Sequence, residues 1–358
     1  MISTTRPTFA IERTKKSRIK EIDFNDLEFG KYISDHMLVA DFVNNKWQVP
    51  KIVPFGDIPM SPAMLSLHYG QSVFEGMKAF RNKDNDICIF RPQKHSERLN
   101  KSLVRMCMPE IPEELFMQSV HAIVETERDW IPTSEGASLY IRPVVFAFEP
   151  RLRVKLSDHF KFIILTSPAG AYFSSPTRLK VEKTFVRAAE GGTGFAKCAG
   201  NYGGAFYPNQ IARQEGFDQV LWTDAKEHKY IDEVGVMNIM FVIDGKLITP
   251  KLTSAILDGI TRDSILKLAP GLGMTVEEKR ISIDEIEEGF KKGTLTEAFG
   301  TGTAAVVSPV ASINIDGVEH KLSEPGPQSF QQRVKQKLNN IRLGFEPDVY
   351  GWNYIINI

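Results

Sequence analysis

Cysteine is scarce in this chain of 358 residues, which contains only Cys88, Cys107 and Cys198. A small, odd number of cysteines in a chain this long argues against a disulfide scaffold, and no CxxC pair or other metal-ligand spacing is present. We therefore expect a reducing, cytoplasmic location and no metal site.

Net charge and long apolar runs are also lacking. Lys and Arg total 44, as do Asp and Glu, so the formal net charge is zero. This removes the electrostatic argument for nucleic acid or an anionic membrane as the main partner. No apolar run approaches the roughly 18 residues that span a bilayer. The basic segment 1–20 has no apolar core and is interpreted as a solvated arm rather than a secretory signal.

Strand and helix signals alternate along the whole chain, which predicts a mixed α/β fold. Strand-like runs cover 86–90, 138–148 and 160–166, and the Asp-Gly pairs at 244–245 and 316–317 predict tight hairpins. Helices are predicted over 113–130, after Pro112, and from a capping box formed by Ser282 and Glu285. A further helix follows from the spacing of four apolar residues, Phe330, Val334, Leu338 and Ile341.

One stretch, 168–178, is rich in Pro, Gly, Ala and Ser and follows a strong strand signal. A chain of this length can form two cores, so we interpret the stretch as a connection between domains. The predicted boundaries are 1–167 for an N-terminal domain, 168–180 for the connecting loop and 181–358 for a C-terminal domain.

A single charged residue, Lys197, lies in the glycine-rich segment 191–204, where six of the fourteen residues are glycine. Glycines cluster where the chain bends sharply or where a ligand approaches the backbone. A lysine amine that is desolvated becomes a nucleophile toward carbonyl groups. The pattern leaves two interpretations, a solvated surface lysine or a Schiff-base lysine, and the usual companion of a Schiff-base lysine is pyridoxal 5′-phosphate (PLP).

PLP requires an anchor for its phosphate and a carboxylate for its ring nitrogen. Gly259 permits a turn into a predicted helix whose first residues, Ile260 and Thr261, offer backbone N–H groups to an anion. A second glycine-rich turn, 299–309, offers further donors. For the ring nitrogen, Glu233 and its neighbour Asp232 are both candidates, and the residues alone do not separate them.

Other cofactors fit less well. Gly300-x-Gly302-x-x-Ala305 matches the dinucleotide pattern, but no helix pattern follows it and no acidic residue stands at the required distance. Lys197 is also too close to Gly194 for a phosphate-binding loop of the GxxxxGK type.

Several segments in fixed order resemble the branched-chain amino-acid aminotransferases, PLP enzymes of fold type IV. The segments are SLHYGQSVFEGMKAFR (66–81), IFRPQKHSERLNKS (89–102), SLYIRPVV (138–145), FAKCAGNYGG (195–204), DEVGVMNIMFV (232–242), ILDGITRDSIL (256–266) and GTGTAAVVSP (300–309). The resemblance implies a smaller N-terminal α/β domain, a larger C-terminal domain with a mixed β core, and a cofactor at the domain interface. It further implies a homodimer in which the loop 149–154 reaches the neighbouring site.

The resemblance also implies roles for individual residues. Lys197 would form the Schiff base and transfer the proton, Glu233 would pair with the ring nitrogen, and Tyr202 would bond the ring oxygen. The phosphate would be held by Arg98, the turn at Gly259, the N–H groups of Ile260 and Thr261, and Thr303, with Arg187 nearby. The turn at Thr303 and Ala304 would bind the α-carboxylate of the substrate, and Arg142 would bind the side chain of glutamate. An apolar wall around the substrate side chain would be formed by Phe29, Tyr69, Phe74, Tyr140 and Tyr172.

The activity implied is transfer of the amino group of L-leucine, L-isoleucine or L-valine to 2-oxoglutarate. A D-amino-acid aminotransferase and an aminodeoxychorismate lyase are alternatives on the same fold. A PLP-binding protein without catalysis is an alternative of another class. The aromatic lining argues against the first two, and the retained Glu233 with the carboxylate-binding turn argues against the third.

Overall fold

The computed structural model describes residues 9–170 and 175–357. These residues form two compact units. The first unit contains the described residues up to 170, Ala196–Ala199 and 341–357, and the second contains 175–195 and Gly200–Asn340. None of the helices in these ranges is long and apolar enough to cross a membrane.

The described residues form strands and helices in mixed order, as the sequence predicts. The strands are β1 (Ala10–Ile11), β2 (His36–Val43), β3 (Lys46–Trp47), β4 (Lys51–Pro54), β5 (Ser72–Phe74), β6 (Met77–Arg81), β7 (Ile87–Phe90), β8 (Ser138–Ala147), β9 (Phe160–Ala169), β10 (Thr177–Glu182), β11 (Gln219–Thr223), β12 (Ile231–Val234), β13 (Asn238–Ile243), β14 (Lys246–Pro250), β15 (Thr275–Lys279), β16 (Leu295–Gly302), β17 (Val306–Ile315), β18 (Val318–Lys321) and β19 (Asn353–Ile356). The α-helices are α1 (Leu65–Tyr69), α2 (Pro92–Arg105), α3 (Glu113–Thr126), α4 (Gly200–Gly203), α5 (Phe206–Gln214), α6 (Ile260–Leu268), α7 (Ile283–Lys292) and α8 (Phe330–Arg342).

The first unit is built on a ten-stranded sheet in the order β1-β4-β2-β9-β8-β6-β7-β19, with β3 added to β2 and β5 added to β8. All its pairs are antiparallel except β1 with β4. Helix α3 packs on β2 and β9, where Phe116 stacks on Phe162 at 6.4 Å between ring centroids. The apolar stripe predicted for this helix is therefore a core face.

The second unit contains a nine-stranded mixed sheet in the order β12-β11-β10-β17-β16-β13-β14-β15, with β18 paired to β17. Its two predicted hairpins are confirmed: Asp244 and Gly245 have φ of 49° and 73°, and Asp316 and Gly317 have φ of 50° and 87°. Both residues of each pair adopt the left-handed conformation that a two-residue turn requires. The capping box of Ser282 and Glu285 at the start of α7 is also confirmed.

The units divide the chain differently from the boundaries predicted above. The segment around Lys197 belongs to the first unit, and so does β19, which pairs with β7. Strands β9 and β10 also extend into the stretch 168–180 that composition indicated as a loop. Local composition marks where a chain turns, but it carries no information on which distant strand a segment will pair with.

Candidate active site

The segment that carries Lys197 is held by backbone hydrogen bonds along β5. Phe74 N donates to Lys197 O at 3.0 Å, Ala199 N donates to Ser72 O at 3.0 Å, and Val73 forms an antiparallel bridge with Cys198. The side chain of Lys197 is half-buried, and its Nζ lies 5.0 Å from the ring centroid of Phe74. The lysine thus projects from a fixed backbone rather than from a loose loop.

Helix α2 provides a second contact to the lysine and presents Arg98. Ser102 and Arg98 are four residues apart and lie on the same buried face of the helix. The Oγ of Ser102 accepts from Lys197 N at 2.9 Å and donates to Arg98 O at 2.9 Å. The predicted Schiff-base lysine and a predicted phosphate ligand are therefore fixed by the same turn of helix.

Arg98 is oriented by a buried carboxylate that the sequence analysis did not single out. Its Nε and Nη2 donate to Glu75 at 2.7 and 2.9 Å, and His95 Nδ1 lies 2.7 Å from the same carboxylate. Burial opposes the charge of Glu75, but the positive charge of Arg98, followed by that of His95, lowers its pKa well below the usual range. Glu75 lies inside one of the motifs quoted above, and only its pairing with Arg98 reveals its role.

Aromatic side chains surround Arg142 in the first unit. Its guanidinium lies 4.6 Å from the ring of Phe74 and 5.3 Å from that of Tyr140, and its Nη2 is 3.2 Å from the Tyr140 hydroxyl. Phe29 meets Tyr140 edge-on at 4.8 Å between centroids. Gly76 leaves the room for Tyr140, because a Cβ there would overlap its hydroxyl.

Tyr69 and Tyr172 are the other two predicted wall residues. Tyr69 is 41% exposed, and its hydroxyl donates to Leu152 O, in the segment 149–154 that the resemblance assigns to a neighbouring subunit's site. Tyr172 lies outside the described residues.

In the second unit, Glu233 is buried and surrounded by N–H donors. Its Oε2 lies 2.8 Å from Arg187 Nε, and its Oε1 accepts from Leu257 N at 2.8 Å and from Asn238 Nδ2 at 3.2 Å. Arg187 also donates to the carbonyl oxygens of Gly194 and Ala255. These contacts join Arg187 to the predicted partner of the ring nitrogen, and its place near the phosphate, which the resemblance implies, stays a prediction.

The neighbouring carboxylate, Asp232, has a different environment. Its side chain lines a cavity of about 500 Å³ whose walls also include Glu190, Lys251 and Arg280. Burial, together with the negative charge of Glu233, raises the pKa of Asp232 to about 7. Alternation along β12 therefore separates two adjacent acids that the residue types alone could not distinguish.

The predicted phosphate turn adopts the expected local structure. Gly259 is the N-cap of α6, and the first helical hydrogen bond runs from Asp263 N to Gly259 O at 2.8 Å. Ile260 and Thr261 come before that bond, in the first turn, where the backbone N–H groups of a helix can bind an anion. A Cβ at Gly259 would overlap Oδ1 of Asn238, which explains the glycine.

The remaining predicted residues lie on two turns of the second unit. Thr303 and Ala304 form the half-buried turn between β16 and β17, and Tyr202 lies on the short helix α4. A strand, not a helix, follows Gly302, which contradicts a dinucleotide site at this turn. The described residues contain no group of three or more His, Cys, Asp and Glu that could hold a metal ion.

Comparisons with known proteins identify the family of this chain. Residues 72–313 match the model of the family described as Amino-transferase class IV. The chain is 47% identical to the "Probable branched-chain-amino-acid aminotransferase" of Staphylococcus aureus (strain N315), over 93% of this chain and 94% of that protein.

Solved structures resemble the chain as well. One is the branched-chain aminotransferase of the archaeon Thermoproteus uzoniensis with norvaline, with a TM-score of 0.74 and 27% identity over 89% of this chain and 99% of that one. Another is the branched-chain amino acid aminotransferase of Escherichia coli, with a TM-score of 0.72 and 29% identity over 88% of this chain and 98% of that one. The resemblance read from the motifs and the mixed α/β fold are thus confirmed, and the chain belongs to the class IV aminotransferase family.

Proposed function

We propose that the protein is a branched-chain amino-acid transaminase that uses PLP. It moves the amino group of L-leucine, L-isoleucine or L-valine to 2-oxoglutarate in two half-reactions. Family membership and the names of the similar proteins support the activity. The observation that carries the proposal is the buried carboxylate of Glu233, whose Oε1 accepts from Leu257 N and whose Oε2 forms an ion pair with Arg187.

The residues present fit the chemical groups of PLP. Glu233 supplies a carboxylate for a protonated ring nitrogen, and the glycine-capped start of α6 supplies backbone donors for a phosphate. When bound, PLP supplies an aldehyde that condenses with amines and a cationic ring that withdraws electrons from the substrate Cα. Glu233 would keep the ring protonated, Tyr202 would bond its oxygen, and Arg98, Ile260, Thr261 and Thr303 would hold the phosphate.

Lys197 would carry the proton in this reaction. Its Nζ would accept the proton from the substrate Cα and hold it until it is passed on, and a positioned group of this kind contributes about 10²–10⁴-fold to the rate. The hydrogen bonds from Phe74 and to Ser102 fix the backbone from which Nζ projects. Because the backbone of Lys197 is fixed, its Nζ can reach only a limited set of positions.

The substrate pocket must accept both an apolar side chain and that of glutamate. Phe29, Phe74 and Tyr140 supply an apolar wall, and the N–H groups at Thr303 and Ala304 bind the α-carboxylate. Arg142 binds the side-chain carboxylate of glutamate. Its Nε is buried and has no hydrogen-bond partner among the described residues, so no protein acceptor competes for this donor.

The protein acts in the cytoplasm as a homodimer. Loop 149–154 carries two exposed apolar side chains, Leu152 at 64% and Val154 at 75%. Covering these side chains with a second copy of the chain removes apolar surface from water.

The test is the absorption spectrum of the purified protein with and without L-leucine, followed by borohydride reduction and peptide mapping. We expect a yellow protein whose band at about 410–420 nm is lost on adding L-leucine but not D-alanine, and a reduced adduct on Lys197. A response to D-alanine alone would favour the D-amino-acid enzyme. An unmodified Lys197, or full turnover by Lys197→Arg, would overturn the proposal.

A further inference from the structure

Asn238 joins two parts of the second unit. It is the first residue of β13 and is 5% exposed. Its Nδ2 donates to Oε1 of Glu233 at 3.2 Å and to the carbonyl oxygen of Leu257 at 2.9 Å. Both partners are acceptors, so the amide nitrogen must face them and the amide oxygen must face the other way.

The same Glu233 oxygen accepts from the backbone N–H of Leu257 at 2.8 Å. Glu233, Asn238 and Leu257 therefore form a closed set of three hydrogen bonds. Arg187 holds the other carboxylate oxygen from a second direction. Within such a set, moving one member breaks bonds to both of the others, so the carboxylate and the backbone at Leu257 move together.

The oxygen side of the amide faces the start of α6. A Cβ at Gly259 would overlap Oδ1 of Asn238 and lie 3.1 Å from its Cγ. Gly259 has φ of −73°, so its backbone conformation suits any residue, and the need for glycine comes from this contact. One amide thus contacts the carboxylate on one side and the N-cap of α6 on the other.

We propose that Asn238 is a positioning residue that fixes the distance between Glu233 and the first N–H groups of α6. This inference rests on the proposed function, in which these two groups bind the ring nitrogen and the phosphate of one cofactor. Those two ends of PLP are separated by a fixed covalent length. A protein that holds their binding groups at the matching distance loses less free energy in ordering them when the cofactor binds.

The test uses apoprotein and two ligands without an aldehyde, 4′-deoxypyridoxine 5′-phosphate and 4′-deoxypyridoxine, so that no bond to lysine contributes. Calorimetry gives the affinity of the protein for each ligand. The ratio of the two affinities measures how much the phosphate group contributes to binding. We expect Asn238→Ala to weaken the phosphorylated ligand at least about tenfold and to reduce this ratio. Asn314→Ala is the matched control, because Asn314 is also buried and its side chain bonds to Gly317 N at 3.2 Å, within the β17–β18 turn.

A second readout follows the ring nitrogen. The absorbance of bound 4′-deoxypyridoxine 5′-phosphate reports its protonation. We expect the pKa of the bound ring to fall in Asn238→Ala, because Glu233 keeps its contacts with Leu257 and Arg187 but loses the bond that aligns it with the ring nitrogen. A general loss of packing would weaken both ligands equally and leave the ratio unchanged, and that result would overturn the inference.

A double-mutant cycle covers the case in which Asn238→Ala folds poorly. Gly259→Ala alone should impair binding, because the new methyl group meets the amide of Asn238. In Asn238→Ala/Gly259→Ala that obstacle is gone, so the combined loss should be smaller than the product of the two single losses. A strictly multiplicative loss would refute the role of Asn238. Failure of the unmodified protein to bind the phosphorylated ligand at all would instead refute the proposed function.

Discussion

The hydroxyl of Ser102 lies 2.9 Å from the backbone nitrogen of Lys197 and 2.9 Å from the carbonyl oxygen of Arg98. It is completely buried and joins α2 to the lysine segment. This single side chain therefore holds the proposed catalytic amine and one proposed phosphate ligand in a fixed relation.

Removing that hydroxyl should loosen the lysine segment. In Ser102→Ala, the buried N–H of Lys197 loses its acceptor, which costs about 1–3 kcal/mol. We expect a lower free energy of unfolding and a lower turnover number, measured by urea titration and by L-leucine transamination. Ser119→Ala is the control, since Ser119 is equally buried and its hydroxyl has no partner among the described residues. Equal effects of the two substitutions would contradict the role of Ser102.

Arg142 should distinguish the two amino donors. Loss of a charge-assisted hydrogen bond costs about 1.5–3 kcal/mol, so Arg142→Gln should raise the KM for glutamate by roughly 10–100-fold. Leucine has no second carboxylate and should be affected far less. Steady-state kinetics with each amino donor measure this difference. A similar loss for both substrates would show that Arg142 supports the pocket without recognising the glutamate side chain.

Asp232 should make the protein less stable as the pH rises from about 4 to 7. Its pKa is raised from 3.8 to about 7 by burial and by the charge of Glu233, so the folded protein binds this proton more tightly than the unfolded chain. The stabilisation is complete below the unfolded pKa and is lost as pH rises through the folded one.

The substitution Asp232→Asn should therefore raise the free energy of unfolding at pH 8, by about 1–3 kcal/mol, and change it little at pH 4. Chemical denaturation across this pH range measures the effect. Glu190→Gln serves as the control because Glu190 lines the same cavity but is exposed. A gain of the same size at both pH values would show that the charge of Asp232 is not the cause.

Arg342 is a buried cation whose removal should stabilise the protein. It is 4% exposed and packs 4.4 Å from the ring of Phe90, and its Nε and Nη1 have no hydrogen-bond partner in the part of the chain that the structure describes. Burial lowers its pKa to about 10. Arg342→Met keeps the apolar contacts and removes the desolvation cost, so we expect a gain of about 1–3 kcal/mol. Calorimetric unfolding measures it, and a lower midpoint would mean that the charge is compensated.

The sequence predicted those features that depend on short stretches of chain. The hairpin at Asp244-Gly245, the capping box at Ser282 and the turn into α6 at Gly259 each follow from local backbone preferences. The family could also be predicted, because several motifs occur in fixed order. The proposed roles of Lys197, Glu233 and Arg142 stay predictions until the experiments above are done.

Contacts between distant residues could not be predicted. Nothing in the sequence distinguishes Glu75, Ser102 and Asn238 from other polar residues. Their hydrogen-bond partners, Arg98, Lys197 and Leu257, lie 23, 95 and 19 positions away along the chain. No periodicity or composition encodes such pairs. The contact between Arg187 and Glu233 could not be predicted for the same reason. The two residues meet only when the strands of the second sheet are assembled.

The path of the chain has a consequence for dissecting the molecule. Because Ala196–Ala199 and β19 belong to the first unit, the polypeptide crosses between the units more than once. No single cut yields two intact halves, so a fragment ending near residue 170 would lack both the reactive amine and an edge strand. Loss of the short segment 353–356 alone would likewise remove an edge strand from the sheet that the early part of the chain forms.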